Sequence, residues 1–83
     1  MKLEEIKENL ISIMEEELET SYNRETIFDQ ELIGLNINSV AFIKLLVRLE
    51  VFFDVEFGEE IVLINKHTTV NDMVTFIKNK QNS

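Results

Sequence analysis

The sequence predicts an all-α protein, a small four-helix bundle with three longer helices, one short third helix and a long loop between the first two helices. Proline is absent and only two glycines occur among 83 residues, which suits a helical chain with few defined turns. Apolar side chains recur at helical spacing in separate stretches, as amphipathic helices require. The length and a hydrophobic share of 45% predict one globular domain spanning residues 1–83.

The first helix is predicted over residues 3–18, followed by a loop over residues 20–38. One helical face of the first segment is apolar, and its members are Leu3, Ile6, Leu10, Ile13, Met14 and Leu18. Most other positions are glutamate. The loop loses this period and collects Thr, Ser, Asn and Gly, and a connection of this length is usually functional. Four of its apolar residues are expected to pin it to the core: Ile27, Phe28, Leu32 and Leu35.

The second helix is predicted from about Ser39 to Phe53. Eleven of its 15 residues are apolar, so it either lies centrally among other helices or shows an apolar surface to a partner. A short helix is predicted within residues 58–64. The last helix should begin after Thr69, which stands three residues before Asp72 in a capping pattern. Its core face comprises Val70, Met73, Val74 and Ile77, and residues 79–83 are expected to fray.

Composition excludes several classes of function. The net charge is −8, from 8 basic and 16 acidic side chains, and no cluster of Lys and Arg exists to bind nucleic acid or an anionic membrane. Cysteine is absent, which removes disulfides, thiol nucleophiles and thiolate metal sites. No apolar run approaches the roughly 20 residues that span a bilayer, and the acidic start lacks the pattern of a secretion signal. We therefore expect a cytoplasmic monomer.

No catalytic or metal-ligating constellation can be assembled from the remaining residues. His67 is the only histidine and is interpreted as a solvent-facing loop residue, while the carboxylates do not follow the spacing of a calcium loop. Ser39 stands where the loop meets the second helix, and its first interpretation is a helix N-cap. The same place would expose its hydroxyl beside a helix N-terminus, which favours a phosphate group.

Three segments resemble one protein family. Residues 35–50, with the sequence LNINSVAFIKLLVRLE, resemble the modification site of acyl and peptidyl carrier proteins, where an Asp-Ser-Leu or similar triplet opens the second helix. Residues 53–57 resemble the family's phenylalanine–acidic–x–acidic–apolar segment, and residues 68–70 its threonine–valine start of the last helix. The resemblance covers nearly the whole chain and implies the four-helix fold of acyl carrier proteins.

The resemblance implies a carrier rather than an enzyme. Ser39 would receive 4′-phosphopantetheine from coenzyme A through a phosphopantetheinyl transferase, and the thiol of that arm would hold acyl or aminoacyl intermediates as thioesters. The thiol would thus be imported, in keeping with the absence of cysteine. Adenylating, acyltransferase, condensing or tailoring enzymes would be the further partners. Positions carried over as partner-binding are Asn38, Val40, Lys44, Val47, Arg48, Val51 and Phe57.

Alternatives remain open at this stage. For Val40, Val47 and Phe57 the alternative is core packing. The usual Asp before the serine is Asn38, and the usual Gly three residues before it is Asn36. The second helix has a net charge of +1 from two bases and one acid, whereas fatty-acid-synthase carriers of the family have a strongly acidic one. We therefore predict a free-standing carrier of nonribosomal-peptide or polyketide-type biosynthesis. The alternatives are the primary carrier of fatty-acid synthesis and a helical adaptor without a prosthetic group.

Overall fold

The computed structural model describes residues 1–82. Within this range the chain forms three α-helices, which are α1 (Leu3–Leu18), α2 (Ser39–Phe53) and α3 (Val70–Gln81). Three short 3₁₀ helices accompany them, at Ile27–Asp29, Leu32–Leu35 and Gly58–Leu63. The same residues contain no β-strand, only one isolated bridge between Glu31 and Thr69. The all-α prediction is confirmed. Where the short third helix was predicted, the chain forms the 3₁₀ segment Gly58–Leu63 and not an α-helix, so the fourth helix of the bundle stays a prediction.

The α1 helix lies against both other α-helices. Because two neighbours cover it, its buried stripe is wider than the predicted face: Ile11 is fully buried although it lies outside that face, and Leu3 at the helix start is exposed. The helix ends where Glu19 adopts the left-handed conformation with φ 52°. From α2 the core receives Leu45, Leu46, Leu49 and Phe53, and from α3 it receives Val70, Met73, Val74 and Ile77.

The long loop is fastened to α1 by a charged contact. The Arg24 guanidinium donates two hydrogen bonds to the Glu15 carboxylate, at 2.7 and 3.0 Å, and two to the Glu8 carboxylate, at 3.0 and 3.3 Å. The backbone N–H of Tyr22 also donates to Glu15, at 2.8 Å. Together these donors lower the pKa of the Glu15 carboxyl, with the Arg24 hydrogen bonds as the largest cause.

The predicted loop anchors are confirmed, and the loop also pairs with the segment before α3. Ile27 and Leu32 are buried, and Phe28 and Leu35 are partly buried against the core. Across the loop, Leu32 N–H donates to the Thr68 carbonyl and Ile33 N–H to the Lys66 carbonyl, each at 2.9 Å. These backbone bonds hold the loop immediately before α2 against the segment that leads into α3, so both helix starts have fixed positions.

The predicted cap of α3 is confirmed. The Thr69 hydroxyl accepts from the Asp72 N–H, and the Asp72 carboxylate accepts from the Thr69 N–H, both at 3.0 Å. The helix continues to Gln81, whose side-chain amide donates to the Phe53 carbonyl at 3.4 Å. The expected fraying is therefore wrong for residues 79–81, because this contact ties the last turn to α2. Ser83, the last residue of that tail and of the predicted domain, lies outside the described residues. Within residues 1–82, no helix has the length and apolarity needed to cross a membrane.

Candidate functional site

The N-terminus of α2 is capped by Asn38, which corrects the interpretation of Ser39 as the N-cap. Asn38 has extended backbone angles (φ −76°, ψ 164°), and its side-chain oxygen accepts from the Ala41 N–H at 2.8 Å. An N-cap needs such a non-helical backbone to turn its side chain towards the third helical N–H. Ser39 is already the first helical residue. Its hydroxyl therefore takes no part in the cap and is exposed.

The turn before α2 explains one departure from the family pattern. Asn36 adopts the left-handed conformation with φ 54°. Glycine takes this conformation most easily, and asparagine is among the few other residues that tolerate it. Asn36 therefore replaces the usual glycine at the position where the backbone requires a positive φ, whereas Gly34 has no such requirement in this structure.

The start of α2 offers unused hydrogen-bond donors around Ser39. Among the described residues, the backbone N–H groups of Ser39 and Val40 and the Ser39 hydroxyl have no hydrogen-bond partner. The first N–H groups of a helix carry the positive end of its dipole. The surroundings of the Ser39 hydroxyl therefore favour a negatively charged group bonded to it.

Two surface grooves meet at Ser39. The first, which we call the apolar groove, has a volume of about 190 Å³ and is lined by Leu32, Ile33, Ile37, Ser39, Phe42, Asn65 and Lys66. The second, which we call the acidic groove, has a volume of about 580 Å³ and is lined by Glu17, Glu19, Asn38, Ser39, Val40, Ala41 and Lys44. The hydroxyl therefore lies between a mostly apolar surface with one cation and a polar surface with two carboxylates.

Most of the predicted partner-binding positions lie on the surface. Val40, Val47 and Val51 are 64%, 53% and 77% exposed, and Asn38 and Lys44 are exposed as well. Ile43, which the sequence interpretation missed, is 62% exposed. Its spacing of three and four residues from Val40 and Val47 was the signal that could have found it. We call Val40, Ile43, Val47 and Val51 the α2 stripe.

Two of the predicted partner-binding positions are engaged within the molecule and do not present a free side chain to a partner. Phe57 is buried, with 1% exposure, and belongs to the hydrophobic core. The core-packing alternative therefore describes it, because the Glu50 carboxylate accepts from its N–H at 3.1 Å and turns the chain inward after α2. The Arg48 guanidinium lies 2.9 Å from the Glu16 carboxylate and 3.7 Å from that of Glu17, both on α1. Its charge is thus engaged within the molecule.

The 3₁₀ segment Gly58–Leu63 adds further exposed apolar side chains. Ile61, Val62 and Leu63 are 42%, 80% and 60% exposed. The sequence interpretation named only Phe57 in this region, although the apolar run from 61 to 63 was a visible signal.

Among the side chains that the structure describes, no group of three or more His, Cys, Asp or Glu is arranged to hold a metal ion. His67 is exposed, and its Nδ1 lies 3.0 Å from the Glu31 carboxylate. The predicted loop position of His67 is confirmed.

An exposed hydroxyl on the first residue of a helix, with free N–H donors and an apolar face beside it, is compatible with a covalently bound anionic group. A family model described as the phosphopantetheine attachment site matches residues 8–77. The chain belongs to this family of carrier domains, which bear 4′-phosphopantetheine covalently and are not catalysts. Comparisons with curated proteins and with solved structures found no match.

The residues at the start of α2 fit this prosthetic group. Its attachment requires an accessible hydroxyl, and its phosphodiester requires donors or positive charge. Ser39 supplies the exposed hydroxyl, and the unpaired N–H groups at the helix start supply donors. Carriers of this family meet a phosphopantetheinyl transferase and biosynthetic enzymes.

Proposed function

We propose that Ser39 is the attachment residue and that the protein carries acyl or aminoacyl groups in nonribosomal-peptide or polyketide-type biosynthesis. The family match spans three serines, Ser12, Ser21 and Ser39. Ser12 is half-buried within α1, and Ser21 is exposed in the loop without a helix start beside it. Ser39 alone of these three combines exposure with a helix N-terminus, and this observation supports it as the modified residue.

The modification is a phosphoryl-group transfer. The Ser39 Oγ forms a bond to the phosphorus next to the pantetheine, and the phosphorus–oxygen bond within the diphosphate of coenzyme A breaks. Adenosine 3′,5′-bisphosphate leaves, and the hydroxyl proton passes to a base of the transferase. The bound group supplies a terminal thiol that holds the cargo as a thioester. Within this chain, the exposed hydroxyl and the positive end of α2 receive the phosphodiester.

The surface of α2 supports the choice of pathway. Fatty-acid-synthase carriers, to which the family resemblance extends, present a strongly acidic second helix to basic enzymes. Here the α2 stripe is apolar, and Lys44 is the exposed charge beside it. Because Arg48 is held by carboxylates of α1, the face is better described as apolar than as basic. Charge complementarity governs partner choice and encounter rate, so this face favours an enzyme whose docking surface is apolar.

The first experiment tests the attachment residue. Incubation of the apo protein with a phosphopantetheinyl transferase and coenzyme A should add the mass of one arm. Ser39→Ala should abolish the addition, and Ser21→Ala should leave it intact as the matched control. Wild-type protein that stays unmodified with several transferases would overturn the proposal and favour the adaptor alternative.

The second experiment tests the pathway. The modified protein is offered to adenylating enzymes with their amino or carboxylic acids, and separately to a malonyl transferase of fatty-acid synthesis. Acylation by an adenylating enzyme without malonylation supports the proposed pathway class. Efficient malonylation with no acceptance by adenylating enzymes would assign the protein to fatty-acid synthesis instead.

A further inference from the structure

The two grooves beside Ser39 differ in chemistry, and only one matches the part of the arm nearest the attachment point. Resting on Ser39 as the attachment residue, we propose that the apolar groove binds the proximal end of the arm, with the Lys66 ammonium paired to the phosphodiester. The arm then leaves Ser39 along the apolar groove and not along the acidic groove, which Glu17 and Glu19 line.

The order of chemical groups in the arm matches the order of groups in the groove. From the serine oxygen outward, the arm has an anionic phosphodiester, a methylene and a carbon with two methyl groups, before its hydroxyl and amides. The groove contains one cation, Lys66, and apolar side chains from the loop and from α2: Leu32, Ile33, Ile37 and Phe42. A short apolar segment that follows directly after an anion therefore meets complementary surfaces.

The volume of the groove decides how much of the arm it can hold. At about 190 Å³ it exceeds a cavity of about 150 Å³ that binds benzene in another protein. It is smaller than the roughly 300–1,000 Å³ of pockets that enclose a whole drug-sized ligand. The groove can therefore take the dimethyl segment, while the distal amides, the thiol and the cargo extend beyond it.

Electrostatics disfavours the acidic groove for the phosphodiester. Glu17 and Glu19 line it together with a single lysine, Lys44. Glu17 is partly neutralised by Arg48 at 3.7 Å, whereas the Glu19 carboxylate has no hydrogen-bond or ion-pair partner among the described side chains. A phosphodiester placed there meets like charge. In the apolar groove, the Lys66 ammonium is exposed and has no partner within the described part of the chain.

Hydrogen bonds of the backbone hold the Lys66 backbone beside the apolar groove. Its carbonyl accepts from the Ile33 N–H at 2.9 Å, so the lysine backbone is bonded to another residue that lines the groove. The turn around it is closed by the Asn65 side chain, which accepts from the His67 N–H at 2.8 Å. The backbone of the lysine is thus already ordered, and only its side chain has to be ordered when it pairs with the phosphodiester.

Nuclear magnetic resonance of the modified protein tests this placement directly. We expect nuclear Overhauser contacts between the methyl protons of the arm and the side chains of Ile33, Ile37 and Phe42. Lys66→Ala should lower the ratio of groove-bound to free arm by about two- to fivefold, as expected for one exposed ion pair. Lys66→Arg should restore the ratio, and Lys44→Ala should leave it unchanged as the matched control. In the wild type, added salt should weaken the same contacts.

The outcomes separate this inference from the attachment proposal. A wild-type chain that never gains the arm overturns Ser39 as the attachment residue, and this inference with it. A chain that gains the arm but shows contacts to Glu17, Glu19 or Lys44, or none to either groove, overturns only the groove. Equal ratios in Lys66→Ala and Lys44→Ala, with no effect of salt in the wild type, overturn the role of Lys66.

Discussion

At the start of α2 the stabilising cap is Asn38, and the proposed attachment residue is its neighbour Ser39. Asn38→Ala removes the acceptor that the Ala41 N–H uses at 2.8 Å, and loss of such a cap costs about 0.5–2 kcal/mol. In a domain of this size, about 1 kcal/mol corresponds to a fall of about 4–8 °C in Tm. The Ser39 hydroxyl is exposed and has no hydrogen-bond partner among residues 1–82, so Ser39→Ala should change stability by no more than about 0.5 kcal/mol.

Urea and thermal unfolding of the apo proteins, followed by far-ultraviolet circular dichroism, measures both effects. Asn38→Asp is the matched control, because it keeps the acceptor and places a negative charge at the helix N-terminus, where it is favourable. We expect Asn38→Asp to match or exceed the wild type. If Ser39→Ala loses as much stability as Asn38→Ala, then Ser39 caps the helix and the arrangement described for the start of α2 is wrong.

Three further changes test the packing and the charges. The Leu46 side chain is 4% exposed, so Leu46→Ala should lower the free energy of unfolding by about 2–5 kcal/mol. The matched control is Val51→Ala, at a side chain that is 77% exposed, and it should cost under about 0.5 kcal/mol. Equal urea midpoints for the two variants would contradict the burial of Leu46. The pKa of the Glu15 carboxyl is lowered in the folded protein. The ionised carboxylate therefore contributes its full stabilisation above the ordinary glutamate pKa of about 4.3. This contribution is lost as the pH falls through the lowered pKa of the folded state. The difference in unfolding midpoint between wild type and Glu15→Gln should therefore vanish in acid, and a difference that grows in acid would refute the assigned direction. Arg48→Ala should lower the free energy of unfolding by at most about 1 kcal/mol, and this loss should be smaller at high salt. A loss that does not depend on salt would show that the contacts of Arg48 with α1 are not ionic.

With Ser39 as the proposed attachment residue, the arrangement around it meets two separate requirements of a carrier. The hydroxyl must be accessible to a transferase, and the helix that presents it must be stable without it. Asn38 meets the second requirement by supplying the cap, which leaves Ser39 available for the first. The backbone N–H groups of Ser39 and Val40, which have no partner among the described residues, would then be available to the phosphodiester of the proposed arm.

Local patterns predicted the helices well because helix formation depends on neighbours three and four residues apart. The run of apolar residues placed α2 at Ser39–Phe53, and the Thr69–Asp72 pattern placed the start of α3. The cap of α2 was assigned one residue too late, because Asn and Ser are comparably good caps. Only the backbone angles distinguish between them.

The sequence by itself determined the fold class, the bounds of α1 and α2, the start of α3 and the resemblance to carrier proteins, because periodicity, capping pairs and short motifs are properties of adjacent residues. The tertiary structure alone decided which side chains of α2 face outward, that Arg48 is paired with α1 and that Phe57 is buried. It also decided that Lys66, 27 positions after Ser39 in the sequence, lines a groove with it. These features depend on contacts between distant segments, and the packing of the loop and helices around one core brings those segments together.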